Sequence, residues 1–422
     1  MREENYIRYR KLKALGNSLV FHMMRIFPID NKLINVCTFE GKGGFGCNPK
    51  YVVEELHRQH PELKFVWMVN DSSWDKEFPD YIKKVRNSSL ISRAYWLSRA
   101  KVWIDNYRKP LGTCKRKGQY YLNVNHFTVG IKCTGLHRGS SFSKMAYLVN
   151  KNDSDMIDDL VIDSEWCASC FKDAMVYDGN LLKTGSPRCD VLYGDRSEQK
   201  RKFRQKHNLP KNAKVLMFAP TFREGSKNGV RSVYSEVWSL DFRRLLETLE
   251  KKTGGIWYIC LRVHPQLAPT FKGLEKSDIS NRILDESQAD DMYEILAGMD
   301  AYITDYSSAL FEAGFAGIPS FVYADDIQKY AHDRGSLMWN LATDLKDHIT
   351  NNKEVTPKFD LEFPFQIATD NEEMGKLIID FDIYEYDRKL TEFKNHIRLI
   401  FDGKASERIV KHVLDMVNPL DG

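Results

Sequence analysis

The sequence predicts an α/β protein of two Rossmann-like, doubly wound halves, and three observations carry that prediction. Short apolar runs alternate with helical stretches along most of the chain, the pattern of parallel strands joined by crossover helices. The alternation pauses in the charged stretch Gly194–Lys214 and then restarts. A length of 422 residues also exceeds what one ordinary core organises.

In the first half, Leu33–Phe39, Phe65–Val69, Lys101–Asp105, Tyr120–Val124 and Leu160–Ile162 read as strands. Pro49–Gln59 and Leu90–Ala100 read as helices between them. Gly194–Lys214 reads as a linker with a short polar helix. In the second half the strands are Val215–Ala219, Trp257–Val263, Ala301–Thr304 and Ser320–Tyr323, with helices at Trp238–Glu250 and Met292–Ala297. A helical region, Tyr384–Val417, closes the chain. The expected division is a basic amphipathic helix in 1–30, an α/β domain in 31–193, a second in 194–383, and helices packing across both in 384–422. Ligands are expected in a cleft between the halves, at the strand ends.

Composition narrows the function. Net charge is +4, from 62 basic and 58 acidic residues, which is too balanced for a duplex nucleic-acid binder. A local basic patch facing anionic lipid or phosphate remains compatible with it. Among eight cysteines, Cys167 and Cys170 form a lone CxxC with no second pair at zinc-site spacing, so packed, reduced thiols are expected. No apolar run approaches the roughly 18 residues of a membrane span, and no signal peptide is expected. In Tyr6–Phe27, Leu12, Leu15, Leu19, Met23 and Ile26 recur at helical spacing, with Arg10, Lys11, Lys13 and Arg25 mostly off that stripe and Arg8 on it. Two readings fit: a helix lying on an anionic leaflet, or an ordinary helix packed on its domain.

Gly41-Lys42-Gly43-Gly44-Phe45-Gly46 matches the dinucleotide-binding pattern G-x-G-x-x-G. Its acidic partner is poorly spaced, with only Asp71 available, and Asn48-Pro49 is expected to delay the helix. A glycine loop near some ligand is therefore expected, and a nicotinamide site is not. Asp153-Ser154-Asp155 has the letters of a metal motif but reads as polar surface, so no metal ligands are expected.

Four clusters lie at predicted strand ends: His126 with Gly130, Lys132 and Gly135; Ala219-Pro220-Thr221-Phe222-Arg223; Arg262-Val263-His264-Pro265; and Asp305-Tyr306-Ser307-Ser308. Singly each has a structural reading, since a strand-end histidine is commonly structural and paired serines cap many helices. Together they supply a helix N-terminus with hydroxyls, the cations Arg223, Arg262 and Lys132, and two histidines suited to proton transfer. The implied chemistry is transfer of a phosphate or a sugar with a nucleotide leaving group.

These clusters resemble the CDP-glycerol:poly(glycerophosphate) glycerophosphotransferases, the teichoic-acid primase and polymerase family. In order, the matching pieces are Asn48-Pro49-Lys50; His126, Lys132 and Gly135; Gly185-Ser186-Pro187-Arg188 with Asp190; and the strand-end clusters at 219–223, 262–265 and 304–308. Asp326, Tyr330, Arg334-Gly335 and Asp402–Arg408 complete the series, which spans roughly Leu33 to Val410. One departure stands out: Asn125-His126-Phe127 occupies the place where the family usually has Trp-His-Gly or Trp-His-Ala.

The resemblance implies a GT-B-like fold with the acceptor on the N-terminal half and a CDP-polyol on the C-terminal half. It implies transfer of glycerol phosphate or ribitol phosphate to an undecaprenyl-linked teichoic-acid or capsule acceptor, with release of CMP. His126 is then the expected general base. His264 and Arg262 are expected at the transferred phosphoryl group, Ser307 and Ser308 at the diphosphate with Arg223 nearby, and Thr221, Asp305, Asp326, Arg334 and Lys132 on the donor side. No cofactor is required, although Mg²⁺ can screen the diphosphate. A lipid-linked acceptor also favours the membrane-surface reading of the N-terminal helix, on the cytoplasmic face. The competing readings are a nucleotide-sugar glycosyltransferase, an NAD-linked oxidoreductase and a membrane scaffold without catalysis.

Overall fold

The computed structural model describes residues 3–221, 223–227, 230–234, 239–263, 278–334, 337–339, 341 and 361–417. The chain forms two compact units. One comprises Met1–His126, Thr134–Asp190 and Leu399–Gly422; the other comprises Phe127–Cys133 and Val191–Arg398.

The first unit holds seven strands: β1 (Asp30–Cys37), β2 (Lys64–Val69), β3 (Ile82–Arg86), β4 (Ala100–Asp105), β5 (Tyr120–Asn123), β6 (Asp159–Ile162) and β7 (Asn180–Lys183). Their order is β3-β2-β1-β4-β5-β6-β7, and every pairing is parallel. The order reverses between β1 and β4, so a crevice opens at their carboxyl ends. Ile34, Val36, Trp67, Val102, Ile104 and Leu122 are sealed in the core, as parallel strands covered on both faces require.

The second unit repeats the plan with β8 (Lys214–Phe218), β11 (Trp257–Leu261), β12 (Ile283–Asp285), β13 (Ala301–Thr304), β14 (Ser320–Tyr323) and β15 (Ile367–Ala368). The order β12-β11-β8-β13-β14-β15 puts its reversal between β8 and β13. A separate antiparallel hairpin, β9 (Arg223–Lys227) and β10 (Val230–Tyr234), follows β8 and was not foreseen. Leu245, Leu246, Met374 and Ile378, from helices Phe242–Thr253 and Asn371–Asp380, cover this sheet.

The strands missed by sequence are mostly edge or near-edge elements. β3 carries Lys83, Lys84 and Arg86 and buries only Ile82 and Val85, so its charges mask the apolar signal while protecting the edge. The glycine-loop helix also starts earlier than expected. Gly46 does cap it, and it spans Cys47–Gln59 with Pro49 in the first turn, where a proline costs no intrahelical bond.

The N-terminal helix, Glu3–Met23, docks by an unusual face. Gly112 lies so close that a Cβ there would meet the Ala14 carbonyl oxygen at 2.5 Å. Asn17 donates to the Leu111 carbonyl at 3.4 Å, Ser18 to the Gly112 carbonyl at 3.1 Å, and Phe21 is buried. The apolar stripe points away: Leu12, Leu15, Leu19 and Met23 are 61–68% exposed, and Ile26 is 80% exposed. The helix thus packs on its domain, as one of the two readings expected, and leaves the stripe outside.

Two polar devices brace the first unit. The Asp190 carboxylate accepts the Ala405 amide at 3.0 Å and the Ser406 amide and hydroxyl at 2.8 and 2.7 Å, capping helix Ala405–Val417 from 215 residues away in sequence. Asp402 grips Arg408 with both oxygens, and Arg408 donates to the Thr184 carbonyl at 2.8 Å. That helix then inserts Ile409, Val410 and Val413 into the first core, while helix Ile383–His396 belongs to the second unit.

The second device lies behind β4 and β5. Lys109 pairs with Asp105 with both side chains nearly inaccessible. The Asp153 carboxylate accepts the Lys109 amide at 2.9 Å and the Tyr121 hydroxyl at 3.2 Å. Asp153 was expected on the surface and is instead 2% exposed, because it closes helix Lys144–Ser154 against this cluster. Burial pushes its pKa up to about 7, with the neighbouring Asp105 charge adding to the rise.

Two outcomes follow from these devices. Asp190→Ala strips a helix of its cap and leaves buried amides unpaired, so a loss of about 2 kcal/mol is expected in denaturant unfolding. Hydrogen exchange across 405–417 should rise; unchanged exchange would remove the capping role. For Asp153, ionisation penalises the folded state above pH 7, and the penalty is relieved as pH falls through about 7 toward the unfolded value. The wild type should therefore gain roughly 2–4 kcal/mol relative to Asp153→Asn between pH 8 and pH 5. Parallel stability–pH curves for the two proteins would contradict this.

Candidate functional site

At the carboxyl end of β1 the glycine loop folds onto its own unit. Phe39 and Glu40 adopt positive φ, and the Glu40 carbonyl accepts the side-chain amides of Asn70 (2.9 Å) and Asn87 (2.7 Å). A Cβ at Gly41, whose φ is +82°, would meet the Asn87 side-chain amide at 2.8 Å. Thr38 donates to the Gly44 carbonyl at 3.0 Å and accepts the Trp67 indole N–H at 3.0 Å. Asparagine and threonine side chains thus fix the loop and explain Gly41 without a dinucleotide.

Asn48, in the helix after the loop, is a buried staple. Its amide donates to the Val124 carbonyl at 2.7 Å and the Asn125 carbonyl at 3.1 Å. Its oxygen accepts the Ser186 hydroxyl at 3.1 Å and the Arg188 amide at 2.9 Å. Two of the sequence motifs, Asn48-Pro49-Lys50 and Gly185–Arg188, therefore meet behind the turn that presents His126.

The turn itself depends on Asn125, whose φ is +43°. Its backbone amide is held by Asn123 at 2.9 Å, and its side chain donates to the Val161 carbonyl at 2.7 Å. His126 follows, half-buried, edge-on to Phe39 and tilted against Tyr107. Its Nδ1 lies 2.7 Å from the Asn106 carbonyl oxygen. A carbonyl only accepts, so Nδ1 carries the proton and Nε2 is the basic nitrogen. Asn106 is in turn fixed, its side-chain oxygen accepting the Phe39 amide at 2.9 Å. The Asp105–Lys109 pair clamps the same segment from behind.

Lys132, the next expected cation, lies in the segment that joins the second unit, and its backbone bridges Leu337. Gly135, with φ +54°, marks the return, where a Cβ would strike the Ala174 carbonyl oxygen at 2.2 Å.

In the second unit the reversal between β8 and β13 assembles most of the expected donor-side residues. Asp305 is 1% exposed, and its carboxylate accepts the Thr221 amide at 2.8 Å and the Tyr306 amide at 2.6 Å. Arg223 donates to its other oxygen at 2.7 Å, to both oxygens of Asp326 at 2.6 and 2.9 Å, and to the Thr221 carbonyl at 2.8 Å. Tyr306 donates to Asp326 at 2.9 Å and stacks on Tyr330 with ring centres 3.8 Å apart. Burial alone would lower the Arg223 pKa, but the two carboxylates outweigh it and raise it.

Arg223 was expected near the diphosphate, and Asp305 and Asp326 on the donor side; in the structure the three bond one another. They form a buried charge cluster that joins the ends of β8, β13 and β14, because a guanidinium at 5% exposure needs carboxylate partners. Ser307 and Ser308 sit on this base, both half-buried. The Ser307 hydroxyl accepts the Ala309 amide at 3.3 Å, whereas the Ser308 hydroxyl makes no capping bond to helix Ala309–Phe315.

Arg262 ends β11 and donates to the Glu286 and Ser287 carbonyls at 2.8 and 2.6 Å. Burial lowers its pKa, and among the described residues it bonds neutral carbonyls, not a carboxylate. His264 lies outside the described residues, and Arg334 is the last residue of helix Ile327–Arg334. No group of three metal-ligating side chains occurs among the described residues, and Cys167 and Cys170 are buried and outside any disulfide. Asn106 and Asn125 were not foreseen as supports of His126; an asparagine bordering the histidine at a strand end was the available signal.

Similarity to known proteins accords with this geometry. Residues 19–415 match the family described as CDP-Glycerol:Poly(glycerophosphate) glycerophosphotransferase. A teichoic acid poly(glycerol phosphate) polymerase of Staphylococcus epidermidis is 28% identical over 392 residues, 90% of this chain. The chain spans only 50% of that relative's length. A protein of the same name from Bacillus spizizenii is 23% identical over 423 residues, covering 98% of this chain and all of the relative. The solved structure of the wall teichoic acid polymerase TagF superposes with a TM-score of 0.75 at 25% identity, covering 100% of both chains. With this match across nearly its whole length, the chain belongs to the CDP-glycerol:poly(glycerophosphate) glycerophosphotransferase family, and its fold is GT-B-like.

Proposed function

We propose that the protein transfers glycerol phosphate, or ribitol phosphate, from its CDP-activated form to a lipid-linked polyol-phosphate or saccharide acceptor and releases CMP. The observation that carries this reading is the hydrogen bond from His126 Nδ1 to the Asn106 carbonyl, which makes Nε2 the unprotonated nitrogen of the neutral ring and so suits it to accept a proton. The acceptor hydroxyl gives its proton to Nε2 as its oxygen bonds to the phosphorus beside the polyol. The bond from that phosphorus to the oxygen of CMP breaks. Positioning and charge stabilisation dominate such a transfer. Arg262 supplies positive charge, and Ser307 and Ser308 supply donors for the diphosphate on the Asp305–Arg223–Asp326 base. In this reading His264, outside the described residues, acts with Arg262 on the transferred phosphoryl group, and Arg334 belongs to the donor side. The reading includes no resident metal, with Mg²⁺ only as a counter-ion to the diphosphate.

The acceptor surface belongs to a membrane in this reading. Helix Glu3–Met23 presents its apolar stripe outward and carries the exposed cations Arg8, Lys11 and Lys13. Apolar insertion with flanking positive charge suits an anionic leaflet, here the cytoplasmic face.

For the chemistry, purified protein is incubated with CDP-glycerol, CDP-ribitol or UDP-sugars and a synthetic lipid-linked acceptor, and released nucleotide is measured. CMP release is expected, insensitive to EDTA, with His126→Ala lowering kcat roughly 10²–10⁴-fold. UDP release without CMP, or full activity of His126→Ala, would remove the reading. For the membrane, Leu15→Glu with Leu19→Glu should cut binding to phosphatidylglycerol vesicles at least about tenfold, since each leucine forfeits roughly 1.5–3 kcal/mol of burial. Equal binding of both proteins, or concentration-dependent dimerisation through the stripe instead, would count against it.

A further inference from the structure

The chain leaves the first unit directly after His126, runs through the second as Phe127–Cys133, and returns at Thr134. Within the second unit one short piece of chain holds this strap. Lys132 bridges Leu337 in antiparallel fashion, and the Met338 amide donates to the Ile131 carbonyl at 2.8 Å. The Trp339 indole N–H donates to the Gly130 carbonyl at 2.8 Å. The strap has little freedom: Thr128, Val129, Ile131 and Cys133 are each no more than 3% exposed.

Trp339 has a second engagement. Its ring lies 5.8 Å, centre to centre, from Phe311, a fully buried residue of the helix that Ser307 and Ser308 open. Phe363 and Phe393 pack on the same indole at 5.7 and 5.8 Å. One side chain therefore fixes both the helix on the donor side and the segment that continues from His126. Gly130 stands only four residues beyond the histidine, and a packed segment of that length transmits a displacement instead of absorbing it.

We propose that Trp339 is a positioning residue for the transfer, acting on His126 through its hold on Gly130 in the strap that follows the histidine. The inference rests on His126 acting as the base. A base misplaced by a fraction of an ångström loses rate without losing donor affinity, because proton transfer demands tighter geometry than binding does. The tryptophan touches no reacting atom and acts through Gly130 and the strap.

The test uses the full chain. Trp339→Phe keeps an aromatic ring against Phe311 and deletes the N–H that holds Gly130. It is expected to lower kcat roughly three- to ten-fold, the loss of one buried hydrogen bond, with the donor KM and the thermal midpoint nearly unchanged. Phe311→Leu loosens the indole from the other side and should lower kcat without adding fully to Trp339→Phe, which keeps the test open if the first variant is unstable. The deciding measurement is the residual rate in a His126→Ala background, where Trp339→Phe should cost nothing further. An equal loss in both backgrounds would assign Trp339 a purely structural role, and an unchanged kcat in the single variants would overturn the proposal. If His126→Ala alone retained wild-type turnover, the functional reading would fail, a result separate from any given by Trp339.

Discussion

Parallel sheets end in backbone amides and carbonyls that no neighbouring strand completes, and every loop built there must find partners for them. This protein answers with buried side chains in both units. Asn48 binds the carbonyls of Val124 and Asn125 and accepts from Ser186 and Arg188; Asp305 takes the amides of Thr221 and Tyr306. Only after those groups are satisfied does a strand end become rigid enough to present side chains such as His126 and Ser307 in fixed positions. The candidate sites therefore sit on polar scaffolds, and Arg223, Asp305 and Asp326, read from the sequence as donor-side residues, bond one another there.

Charge is divided by the same logic. A cation buried between carboxylates contributes little to binding an anion, because its field is already compensated, yet removing it would strand two buried charges at a cost of about 3–5 kcal/mol. Arg223 has that role between Asp305 and Asp326, and Lys109 has it with Asp105. Arg262 is different, since among the described residues its hydrogen bonds run to the neutral carbonyls of Glu286 and Ser287, and Asp291, Glu286 and Asp290 act on it only through their charge. Burial lowers its pKa, but an arginine starts so high that it stays protonated. The two arginines, equivalent by sequence, divide into a brace and a charge.

The sequence made the strands of both sheets legible where they are central and apolar, because full burial writes a continuous hydrophobic run. Edge strands such as β3 were hidden by their lysines and arginines, which serve solubility and not the core. The hairpin at Arg223–Tyr234 was hidden because its first residue already belonged to a motif with a functional reading. In the candidate site, residue types marked strand ends, but type alone does not reveal that an aspartate such as Asp305 pairs with an arginine. Asp153 shows the same limit: three polar letters in a row look exposed, and only the packing of Lys109 and Tyr121 around the carboxylate puts it inside. The exposed stripe of the N-terminal helix was readable as a pattern, while its orientation depended on Gly112 admitting the Ala14 backbone.

The departure at Asn125 can be argued in the same terms. A residue with φ of +43° carries a steric cost for any side chain with a Cβ, and asparagine meets it with the least strain after glycine. The small amide also reaches the Val161 carbonyl on β6, which a bulky indole in that position would not satisfy. Asparagine thus holds the turn by hydrogen bonding. The histidine that follows keeps its bond to Asn106, and the altered volume falls on the buried side of the turn. On this argument the substitution changes how the base is supported and leaves its tautomer intact.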